Sequence, residues 1–181
     1  MLFNTPEFVI FFIVLISMLV IIKNRKFQHL FLLIGSYFFF YYSSNYLIVL
    51  LIFTTIWDFY FGEIIFKANS KERKKLFLII SLAGNLGLLG FFKYSDFAIA
   101  QFNFVGNYFD FTNQIPELNF VLPIAISFYT FHSITYTVSI YRNQIKPCKS
   151  FIQYAIFVSF FPQLVAGPIL RAKEFLPQLS E

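Results

Sequence analysis

The chain has 181 residues, of which 58% are hydrophobic, 13% are charged and 29 are Phe. Soluble domains carry roughly 25% charged residues, and so short a chain cannot hide this much apolar surface in one core; disorder needs the opposite composition, so a membrane-embedded chain is what is left. The formal charge is +5, but Lys and Arg stand in short clusters between apolar runs, which is a topology signal and not a nucleic-acid-binding surface.

A crossing helix needs roughly 20 mostly apolar residues. The first candidate is Phe8–Ile22, closed by Lys23, Arg25 and Lys26. The N-terminus has no basic n-region and no small-residue cleavage site, so this run is expected to be a retained span. Phe27 to Trp57 contains no Asp, Glu, Lys or Arg. That is too long for one ordinary span, and Ser43-Ser44-Asn45 breaks it. A helix over Phe27–Tyr42, a tight turn and a third helix over Tyr46–Phe66 are predicted. A basic loop, Lys67–Lys75, leads to a fourth helix, Leu76–Phe92. Residues Lys93–Asn119 alternate aromatic and polar side chains, which fits either an interfacial helix or an outer loop. A fifth helix spans Val121–Tyr141 and ends before Arg142, Lys146 and Lys149. The last apolar stretch, Phe151–Leu170, is interrupted by Pro162, Gly167 and Pro168. Irregular backbone at membrane depth must be covered by protein or line a wet cavity, so this stretch reads as a re-entrant element, or as a helix ending near Pro162 and followed by a loop.

One orientation places every basic loop inside: the loops after the first, third and fifth helices carry the Lys and Arg, and the segment around residues 93–119 carries Lys93 against Asp96, Asp110 and Glu117. The expected architecture is therefore all-α: a multi-pass bundle of about five spans plus a broken sixth segment, N-terminus outside, forming one membrane domain over residues 1–181. Its first partner is the lipid bilayer of the cell membrane.

Polar residues at membrane depth are the candidate functional groups. Asp58 lies well inside the third helix, facing either a cavity or a hydrogen-bonding partner on a neighbouring helix. Glu63 is expected to pair with the adjacent basic loop. Gly84, Gly87 and Gly90 read as a packing stripe, with Asn85 hydrogen-bonding across it. The fifth helix is the most polar. Its His132, flanked by Tyr129, Thr130, Ser133 and Tyr136, is a candidate general base or an interior hydrogen-bonded residue. Cys148 is the single cysteine, which excludes an intrachain disulfide. With His29 and His132 it makes only three His/Cys ligands, so no metal site is expected.

The runs LPIAISFYTFHSITYTVSIYR (Leu122–Arg142) and FIQYAIFVSFFPQLVAGPILRAKEFLPQL (Phe151–Leu179) resemble the N-terminal half of the membrane-bound O-acyltransferase family, in its bacterial alginate O-acetyltransferase-like branch. MLFNTPEFVIFF, SYFFFYYSSNYLIVLLIFTTIWDFYFG and NLGLLGFFKY are also similar to that branch. The most specific piece is Pro162-Gln163-Leu164-Val165-Ala166-Gly167-Pro168-Ile169 with Arg171. The resemblance implies a helical membrane enzyme that moves an acyl group, in this branch an acetyl group, from a thioester donor (an acyl-coenzyme A or acyl carrier protein) to hydroxyls of an extracytoplasmic polysaccharide or cell-wall polymer. It also implies an extracytoplasmic acyltransferase partner. Pro162, Gln163, Gly167, Pro168 and Arg171 are implied to be core or tunnel-wall residues. The family's catalytic histidine lies in the C-terminal half, beyond these residues, and the position of His132 looks like glutamine in similar proteins. The 181 residues alone are accordingly expected to be inactive. A non-catalytic scaffold and, with less in its favour, a transporter subunit are the other readings.

Overall fold

The computed structural model describes residues 4–109, 114–120, 122, 125–167 and 171–180. Every regular element among them is helical: α1 (Pro6–Ile21), α2 (Arg25–Ser44), a 3-10 turn (Asn45–Leu47), α3 (Ile48–Lys67), α4 (Lys71–Tyr108), α5 (Ile126–Tyr141), α6 (Phe151–Ser159), α7 (Phe161–Ala166) and α8 (Ala172–Ser180). Two stretches, residues 25–67 and Lys71–Tyr108, are long and apolar enough to cross a membrane, while Pro6–Ile21 and Phe151–Leu164 are shorter apolar helices.

Helix starts follow local chemistry. The Thr5, Asn24, Ser70 and Ser150 side chains each accept a hydrogen bond from a backbone N–H of the turn they open, satisfying donors the helix leaves orphaned. At the other end of α1, the Gln28 amide donates to the carbonyls of Leu19 and Ile22 at 3.1 and 2.7 Å. That contact covers the acceptors a helix end exposes and fixes how α2 leaves α1.

The core sits where α3, α5 and α6 meet. Leu51, Ile65, Tyr129, Tyr136, Tyr154 and Phe157 are all fully buried there. α3 packs along both α5 and α4, α2 runs along α6, and α8 closes against α5 and α6. A second cluster joins Leu15 of α1, Phe39 of α2 and Phe161 of α7. The outer faces are apolar: Val9, Ile13, Val20, Val49, Phe53, Leu76 and Ile79 are all exposed. A hydrocarbon solvent accepts such a surface and water does not.

Four boundaries differ from the sequence expectation. The fourth helix does not stop at Phe92 but continues through the mixed segment to Tyr108. Polar residues change which face is wetted without breaking a helix, and the first proline after Lys71 is Pro116. Residues 114–120 are irregular, and they are tied back along α4. Asn103 exchanges hydrogen bonds with the Ile115 backbone at 2.8 and 2.9 Å, the Asp96 carboxylate accepts from Leu118 N–H at 2.8 Å, and Phe120 meets Phe91 and Phe92. The second difference is that Ser43 and Ser44 remain helical and the break falls at Asn45, whose φ is +51°. Third, the fifth helix starts at Ile126, with Val121 outside the described residues. Fourth, the last stretch breaks at Phe160, two residues before Pro162.

Candidate functional site

Asp58 is fully buried and held from the neighbouring helix. Ser81 Oγ donates to Oδ1 at 2.7 Å, and Asn85 Nδ2 reaches Oδ1 at 2.9 Å and Oδ2 at 2.8 Å. Ser81 and Asn85 are four residues apart, so they share one face of α4. Asn85 therefore bonds across the α3–α4 contact, and Asp58 has its hydrogen-bonding partners on the neighbouring helix. The glycine stripe does so only in part. A Cβ at Gly84 would meet the Trp57 indole at 3.0 Å, whereas nothing among the described residues lies within 4 Å of one at Gly87 or Gly90. Glu63 pairs with Lys67 at 2.9 Å, as expected.

From Asp58 a polar line crosses the core. Ser133 of α5 comes near the Asp58 carboxylate without reaching hydrogen-bond geometry, and its hydroxyl stands 3.5 Å from the Tyr154 hydroxyl of α6. The Tyr154 and Tyr136 rings are 4.4 Å apart, and Tyr136 Oη accepts from the Cys148 backbone N–H at 3.1 Å. The approach of Tyr136 depends on Gly62, where a Cβ would lie 2.7 Å from Tyr136 Cε1. Ser81, Tyr154 and the Cys148 backbone are absent from the sequence-level candidates. The four-residue spacing of Ser81 and Asn85 is a signal that could have found the first; nothing in the apolar run Phe151–Ser159 marks Tyr154.

His132 is 1% exposed and packs against the Phe157 ring at 5.4 Å. Among the described residues neither ring nitrogen has a hydrogen-bond partner. The backbone of Val158 comes near the ring without reaching hydrogen-bond geometry. An unbroken helix would bond the Val158 carbonyl to the N–H of residue 162, and Pro162 has none. Tyr129 Oη and Thr130 Oγ1 are also buried without a partner among the described residues, and the Tyr129 ring meets Phe40 edge-on. Asp58 and Ser133 are thus brought together, whereas Tyr129 faces α2 and His132 faces α6.

The broken segment is interior. Pro162 occupies the first turn of α7, where its missing N–H costs nothing. Phe161 is clamped between Phe11 and Phe39, at 5.3 and 5.2 Å between ring centroids. Gln163 and Leu164 are buried and Pro162 is half-buried. Gly167 caps α7, donating its N–H to Gln163 O at 3.1 Å, and a Cβ there would lie 2.8 Å from Gln163 Cα. Pro168 lies outside the described residues. Arg171 is exposed and separate from the buried part of the motif.

No family model matches the chain, and no solved structure matches it. Curated relatives do. A peptidoglycan O-acetyltransferase of Helicobacter pylori is 32% identical over all of this chain, which covers 39% of that protein. A probable alginate O-acetylase AlgI of Pseudomonas syringae pv. tomato is 30% identical over 99% of this chain and 35% of its own length. Its counterpart in Pseudomonas aeruginosa is 35% identical over 70% of this chain and 24% of its own length. The chain spans well under half the length of the relatives it matches.

Proposed function

For this chain, a relative of the bacterial alginate O-acetylases and of a peptidoglycan O-acetyltransferase, we propose a role in O-acyl transfer within the membrane-bound O-acyltransferase family. The acyl group, an acetyl, passes from a thioester donor to hydroxyls of a polysaccharide or cell-wall polymer outside the cell membrane, and an extracytoplasmic acyltransferase partner works with it. In that reaction the acceptor oxygen bonds to the acyl carbon, the carbon–sulfur bond breaks, and the thiol leaves with the hydroxyl proton. The single observation that carries this reading is similarity that runs the whole length of the chain to a protein with that class of activity.

The geometry supports a multi-pass bundle that contributes walls more than chemistry. A general base must reach the proton it removes, and His132 is enclosed by Phe157 and its own bundle. The chain has one other histidine, His29, near the start of α2. We therefore place the acid–base step elsewhere in the working enzyme and expect residues 1–181 alone to transfer no acyl group. The interior α6–α7 break and the polar face of α5 are the parts assigned to the core. The test is radiolabelled acetyl transfer by the complete gene product to surface glycan; absence of transfer to any glycan would overturn the reading.

A further inference from the structure

Where α8 meets the loop between α5 and α6, the surface holds two adjoining recesses. The larger, about 420 Å³, has Lys146, Lys149 and Lys173 around it, an apolar floor that includes Ile145 and Leu176, and Cys148 in its wall. The smaller, about 260 Å³, is lined by Arg142, Arg171 and Lys173 together with Ser139 and Gln144. Lys173 lines both, so five cations stand around this pair of recesses. No Asp or Glu lines either recess, although Glu174 stands next to Lys173 in the first turn of α8. Among the described residues none of the five cations is in an ion pair.

The other basic loop is built differently. There Lys67 is paired with Glu63, and Glu72 sits among Lys71, Arg73 and Lys74. Cations grouped without carboxylates repel one another, and the arrangement is relieved when an anion enters. Five of them exceed what one carboxylate would need. Arg142 and Arg171 can each grip two phosphate oxygens, while the lysines act as point charges. The apolar floor suits a ligand whose phosphate end continues into a less polar portion.

We propose that this pair of recesses binds a phosphate-bearing ligand, either the headgroup of an anionic lipid or a soluble phosphate ester. The proposal rests on charge and shape and is independent of the acyl-transfer reading.

Cys148, the single thiol, reports occupancy from inside the larger recess. The full chain is purified in a neutral detergent, and the rate of Cys148 alkylation by N-ethylmaleimide is measured in two arms. One compares nanodiscs of phosphatidylglycerol with nanodiscs of phosphatidylcholine; the other adds ADP to the detergent-solubilised chain. Severalfold slowing in the lipid arm alone identifies a headgroup site, and slowing in the ADP arm identifies a soluble ester. Within each variant the ratio of rates with and without the probe is compared. Lys146→Gln/Lys173→Gln should abolish the slowing, and Arg171→Gln, at an exposed position, should weaken it. Lys71→Gln/Lys74→Gln in the other basic loop should leave it intact. No slowing in either arm, slowing that survives Lys146→Gln/Lys173→Gln, or equal loss in the Lys71→Gln/Lys74→Gln protein would overturn the proposal.

Discussion

Asn85 holds both carboxylate oxygens of Asp58 from the adjacent helix, at 2.9 and 2.8 Å, with both residues buried. The pair joins α3 to α4 in the buried interior, where an ionised acid is costly. It also explains why an acid can stand there with no cation beside it among the described residues. A bond from Ser81 and one from Asn85, shared between the two oxygens, replace part of the water the carboxylate has lost.

Asn85→Leu removes the bond shared by both oxygens and leaves a buried carboxylate with Ser81. It should cost about 1–2 kcal/mol, the upper part of the range for polar contacts between membrane helices. Ser81→Ala should cost less. Thermal unfolding in detergent, followed by helical circular dichroism, orders the two variants.

Gly62 and Gly87 should respond in opposite directions to the same substitution. Gly62→Ala drives a methyl into Tyr136 and displaces the hydroxyl that accepts from Cys148 N–H, so stability falls and Cys148 becomes easier to alkylate. Gly87→Ala meets nothing within 4 Å and gains helix propensity of up to about 1 kcal/mol. Tm and alkylation rate, measured side by side, separate them.

Phe161→Ala empties the space between Phe11 and Phe39 and should destabilise the chain by about 3 kcal/mol, as other large-to-small core changes do. The loosening should be local. Limited proteolysis should show faster cleavage near α1 and α7 with the α3–α5 core still protected.

Burial pushes the Cys148 thiol above its ordinary pKa. The thiolate is the reactive form, so at neutral pH the thiol is protonated and slow. Its alkylation should climb with pH and reach half-maximum later than for an exposed cysteine in a peptide. A rate–pH curve that matches the free peptide would contradict the burial seen here.

Much of this fold is legible in the sequence because hydrophobic runs and charge clusters are local signals. The basic loops mark the ends of α1, α3 and α5, and the Asp58–Asn85 contact follows from two polar residues in apolar helices. Two of the differing boundaries share one cause: polar residues after Phe92 and at Ser43 read as helix ends, whereas polarity alone does not break a helix. At Phe160 a backbone constraint does act, through Pro162, but two residues ahead of the proline. The enclosure of His132 by Phe157 depends on α6, which no local pattern reveals. Gly87 and Gly90 looked like packing glycines because spacing is visible in a sequence and a neighbour is not.

The role of the broken segment is tested most directly at Gly167, where any side chain would strike the Gln163 backbone. The complete gene is deleted from its host, and the strain is complemented with wild type or with Gly167→Leu at matched membrane levels; O-acetyl groups on the surface glycans are then quantified. Deletion should remove glycan O-acetylation, wild type should restore it, and Gly167→Leu should not. Glycan O-acetylation unchanged by the deletion would contradict the acyl-transfer reading itself, and full restoration by Gly167→Leu would contradict the assignment of the α6–α7 break to its core.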